Sequence, residues 1–140
     1  MKFNFTSQIC TTQEQSERLL ALGLKKETAD MCWVLRDIDR GGNEYSVKYM
    51  SIGQGAYSLL HPDWYSPTWS LHRLIEMMPT EITHDDCSLL LGANAVCIYY
   101  ADGEYTETFK TFEGNLYDCV VKCIEWLIKE GYFNKEYLEE

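Results

Sequence analysis

Apolar residues at Leu116, Cys119, Val120, Cys123, Ile124, Leu127 and Ile128 recur at offsets 0, 3, 4, 7, 8, 11 and 12, the spacing of one face of an α-helix. Asn115 stands where an N-cap belongs, and Asp118 suits the positive end of the helix. Gly131 can end it in a left-handed residue, with Tyr132 folding back on Leu127. A second helix is equally well punctuated near the start of the chain. Thr11 or Thr12 can cap it, Glu14 or Gln15 can reach back to complete a capping box, and it runs to about Leu22. Gly23 then stops it, with Leu24 able to fold onto Leu19. A third, short helix is expected over Leu71 to Met78, capped by Ser70, ended by Pro79 and carrying Leu71, Leu74, Ile75 and Met78 on one face.

Between the helices the pattern is that of strands. Met31 to Arg36 is rich in β-formers, Asp39 to Asn43 is turn chemistry, and Glu44 to Ile52 reads as the returning strand of a hairpin. Later come Cys87 to Leu91, Ala95 to Tyr100 and Glu104 to Phe112, with Asp102-Gly103 as a hairpin turn between the last two. On the last strand Tyr105, Glu107 and Phe109 alternate with Glu104, Thr106, Thr108 and Lys110, which predicts one solvated face. These elements predict an α+β domain over residues 1–140: an antiparallel sheet of about four or five strands, packed against two capped terminal helices and a short middle helix.

The stretch His61 to Ser70 fits neither pattern. Its two prolines argue against regular structure, and Trp64, Tyr65 and Trp69 crowd into it, so it reads as a loop with an unusual amount of ring surface. Rigid aromatic area of this kind serves protein interfaces, which makes His61, Trp64, Tyr65 and Trp69 the candidate binding residues. The competing structural role has Trp69 packing under the following helix as a staple and Trp64 covering the core.

Composition narrows the function classes. The chain has 140 residues, 46% hydrophobic and 24% charged, a globular balance expected to fold around one core. No apolar run approaches the roughly 20 residues of a membrane span, and residues 1–8 lack the apolar stretch of a signal peptide. A cytoplasmic location is the expectation, with the six cysteines as reduced thiols. The formal charge of -10 is concentrated late: residues 61–140 hold fifteen acidic and five basic groups, against seven of each in residues 1–60. That sign repels phosphate backbones and anionic lipid, so no direct nucleic-acid or membrane binding is expected, and a basic protein partner fits better.

Catalytic and metal motifs are weak throughout. Cys119 and Cys123 lie four apart on a helix, but on its apolar face, where cysteine behaves as a small buried hydrophobe. A nucleophilic Cys10, Cys32 or Cys87 would need one of His61, His72 and His84 beside it, and none sits in a motif that implies this. Glu81 to Asp86 offers cation ligands, yet consecutive charges in a loop are more often simply solvated. Gly53-Gln54-Gly55 is too short for a phosphate cradle, and no serine sits in a Gly-x-Ser-x-Gly turn. No cofactor, metal or catalytic residue is assigned.

Scattered short matches over most of the chain resemble a family of small acidic proteins of gut bacteria, their phages and mobile elements. The segments that carry the resemblance are Gln15-Ser16, Leu19-Leu20, Gly23-Leu24, Glu27 to Met31, Pro67 to Leu71, Glu125-Trp126-Leu127 and Gly131-Tyr132, while 41–60 align least well. It implies an accessory, phage-related gene context and transfers no catalytic residue. The function expected is therefore a non-enzymatic adaptor that binds a protein through the aromatic loop and the acidic second half. Two alternatives stand beside it. One is a thiol-dependent hydrolase; the other is an acidic nucleic-acid mimic using Glu81, Asp85, Asp86, Asp102, Glu104 and Glu107.

Overall fold

A computed structural model of the chain describes residues 8–35, 45–49, 65–79, 87–92, 95–102 and 105–140. The turn at Asp39 to Asn43, the Gly53-Gln54-Gly55 loop, His61, Trp64, the Glu81 to Asp86 acids and the Gly103 end of the Asp102-Gly103 turn lie outside the described residues.

Helix α1 spans Gln13–Ala21, and its start is the capping box expected from the sequence. The Thr12 hydroxyl accepts from Gln15 N at 3.1 Å, and Thr12 N donates to the Gln15 side-chain oxygen at 3.0 Å. At the other end Gly23 takes φ +93°, Leu24 N donates to Leu19 O at 3.1 Å and Gly23 N to Leu20 O at 3.0 Å, a complete Schellman motif. Helix α2, Leu71–Met77, starts at Ser70, whose hydroxyl accepts from Arg73 N. Helix α3, Leu116–Glu130, is capped by Asn115 and closed by Gly131 at φ +80°, with Tyr132 N donating to Leu127 O. Phe133, one residue beyond the expected Tyr132, enters the core, while the Tyr132 ring lies 5.6 Å from that of Trp126 near the surface.

The chain is α+β, and among the described residues its strands form two three-stranded antiparallel sheets; the expected single sheet of four or five strands is not seen there. The first is ordered β2-β1-β3, from Tyr45–Tyr49, Met31–Leu35 and Tyr65–Thr68. The second is ordered β4-β5-β6, from Cys87–Leu91, Ala95–Asp102 and Tyr105–Glu113. Strand β3 lies inside the His61 to Ser70 stretch, where the two prolines predict a loop. It pairs with β1 at the edge of its sheet, Pro67 opposite Cys32, and an edge position tolerates a residue without an N–H. In β6 the expected strict alternation is interrupted: Ile98 pairs with Lys110 and Tyr99 with Thr108, leaving Phe109 as the extra residue of a β-bulge.

Helix α3 is the centre of the core. It packs on β5, β6, α1 and α2, and Cys119, Val120, Val121, Cys123, Ile124 and Leu127 are all fully buried. The apolar stripe accounts for all of these except Val121, which is enclosed because neighbours cover more of α3 than one face. Leu19, Leu24, Leu74, Met77, Val96 and Trp69 complete the cluster. In α2 it is Met77, not Ile75, that joins Leu74 at full burial. The C-terminal segment closes over the end of α1: Leu24 bridges Leu138, Lys25 N donates to Tyr137 O at 2.9 Å and Glu139 N to Gly23 O at 2.7 Å. Among the described residues no helix is long and apolar enough to cross a membrane.

Candidate functional site

The aromatic segment enters the described structure at its C-terminal half. Tyr65 opens β3, paired with Val34 of β1, and the strand carries the chain through Pro67 and Thr68 to Trp69. Trp69 is 0% exposed, so its indole offers no surface to a partner. It occupies the position before the N-cap Ser70, with Leu74 four residues past the cap and equally buried, the places that a hydrophobic staple brings together. The indole N–H donates to Thr28 Oγ1 at 2.9 Å, which satisfies the polar atom that burial would otherwise strand.

Around Trp69 the polar groups form a closed set. Thr11 is the hub: its N–H donates to Trp69 O at 2.8 Å, and its hydroxyl accepts from Trp69 N at 3.1 Å. That hydroxyl also lies 2.7 Å from Ser16 Oγ and 2.6 Å from Thr68 Oγ1. The Thr11 carbonyl accepts from Thr68 Oγ1 at 2.7 Å and from Trp33 Nε1 at 3.2 Å. Thr11, Ser16 and Thr68 are buried, and each has a partner here, as buried hydroxyls require.

A second polar set surrounds the start of α2. Asp30 accepts from Ser70 N at 2.9 Å through Oδ1 and from Ser70 Oγ at 2.5 Å through Oδ2. The Tyr117 hydroxyl accepts from Leu71 N at 3.0 Å, and Arg73 Nε donates to Thr28 O at 2.7 Å. Asp30, Ser70, Tyr117 and Cys10 thus come together, an assembly of residue types that could suggest catalysis. Their geometry is that of a helix cap: Ser70 and Tyr117 are spent on the first-turn amides and Asp30 on Ser70.

The thiols point the same way. Burial pushes the Cys10 thiol up, the hydrogen bond with Thr68 partly opposes it, and the charge of Asp30 adds to it. Burial raises Cys119 as well, against the pull of Lys122, and raises Cys123 to about 12. A nucleophilic cysteine needs the opposite shift. His72, the one histidine within the described residues, is 83% exposed on its side chain and lies 3.0 Å from Glu76. Among the described residues no group of three or more His, Cys, Asp or Glu side chains could hold a metal ion.

A polar groove of about 430 Å³ lies between the N-terminal ends of α1 and α3, lined by residues that include Gln15, Arg18, Asp118 and Lys122. Gln15 is its organising side chain: its oxygen accepts from Thr12 N and from Gln8 Nε2 at 2.9 Å, and its amide donates to Asp118. Arg18 pairs with Glu125 across the same two helices at 2.6 Å. Asp118 was legible as a helix-start acid, but its meeting with Gln15, 103 positions away, has no local signal in the chain.

No family model, curated protein or solved structure matches the chain.

The functional reading therefore rests on the chain's own residues. Of the four candidate binding residues, Trp69 belongs to the core, Tyr65 begins an edge strand, and His61 and Trp64 lie outside the described residues.

Proposed function

We propose that this protein is a non-enzymatic accessory or adaptor protein that binds a protein partner through His61, Trp64 and Tyr65 together with the acidic surface of its second half. The observation that carries the reading is the attachment of that aromatic segment. Trp64 immediately precedes β3 in the sequence, Tyr65 opens that strand, and β3 ends at Thr68, which with Trp69 is held by the Thr11 hub and the core. Binding residues next to a fixed scaffold lose less entropy when a partner orders them. The excess of acidic groups in residues 61–140 favours a partner with a basic face. Burial of Cys10 and Cys32, with a raised thiol at Cys10, weighs against two of the three cysteines considered for the thiol-hydrolase alternative.

The test separates binding from folding. Wild type and Trp64→Ala/Tyr65→Ala are each used as bait in lysate from the source of the protein, after unfolding curves establish that the variant is folded. A partner retained by the wild type at low salt, lost from the folded variant and weakened by added salt supports the reading. Equal retention by both proteins, or none by either, overturns it. Trp69→Ala serves as a control that lowers stability and so reports on the core instead of the surface.

A further inference from the structure

We draw no further inference here: the strongest candidate, the groove of about 430 Å³ between the N-terminal ends of α1 and α3, rests on two capped helix starts whose neighbouring side chains Gln8, Gln15 and Asp118 already satisfy one another, and nothing in the structure points to a ligand there.

Discussion

The indole N–H of Trp69 donates to the hydroxyl of Thr28 at 2.9 Å, joining two residues 41 positions apart inside the core. Thr28 Oγ1 in turn donates to Lys25 O at 2.6 Å, so one hydroxyl serves both a buried ring and the turn after α1. Thr28→Val keeps the shape and strands the indole donor, which should cost about 1–3 kcal/mol. Trp69→Ala adds a cavity and should cost about 3–5 kcal/mol. Urea unfolding measures both, and a loss below about 1 kcal/mol for Trp69→Ala would be incompatible with an enclosed ring.

Asp30 and Ser70 act as a unit at the start of α2, through two hydrogen bonds from one residue to one carboxylate. Asp30→Ala and Ser70→Ala should therefore be non-additive, with a coupling of about 0.5–3 kcal/mol in a double-mutant cycle. Additivity within about 0.3 kcal/mol would mean the two side chains do not meet in solution.

Gly23 and Gly131 end α1 and α3 at φ +93° and +80°, and a Cβ added at either meets nothing within 4 Å. The cost of Gly23→Ala or Gly131→Ala is then conformational alone, about 1–2 kcal/mol. Asn at either position should recover part of that loss, because its side chain tolerates the left-handed region. Thermal unfolding of the Ala and Asn pairs checks the order.

Cys123 is raised from 9.0 to about 12 by burial, and Cys10, Cys119 and Tyr117 move in the same direction for the same leading reason. The folded chain keeps these protons where the unfolded chain releases them. Stability should be full below about pH 8 and fall as pH rises from the ordinary thiol value of 9.0 towards 12. Cys123→Ala should lower stability at neutral pH, yet flatten the alkaline decline. Unfolding midpoints from pH 7 to pH 10.5 test this, and an unchanged slope in the variant would count against a buried thiol at that position.

Much of the helical framework was readable because its signals are local. Thr12 with Gln15, Gly23 with Leu24 and Asn115 with Gly131 each act over a few residues, and each appears in the structure where the sequence places it. The hairpin pairings of β1 with β2 and of β5 with β6 were legible for a related reason, since turn residues and β-forming runs on either side are local signals. The candidate site was less legible. Pro67 suggested a break, but whether a proline ends a strand or sits at a sheet edge depends on which side of the strand is paired. The groove between α1 and α3 likewise depends on Gln15 meeting Asp118, a contact that neither segment encodes alone.

The chain by itself determined where its capped helices start and stop, the main apolar stripe of α3 and that its charge is concentrated in residues 61–140, because capping, periodicity and composition are properties of short segments or simple sums. Only the tertiary structure decided that Trp69 is core, that Tyr65–Thr68 just before it pairs with β1, that the described strands divide into two sheets, and that the polar residues around Thr11 and Asp30 close on one another. Each of those outcomes depends on partners brought together from distant parts of the chain, and burial is a property of the partners as much as of the residue buried.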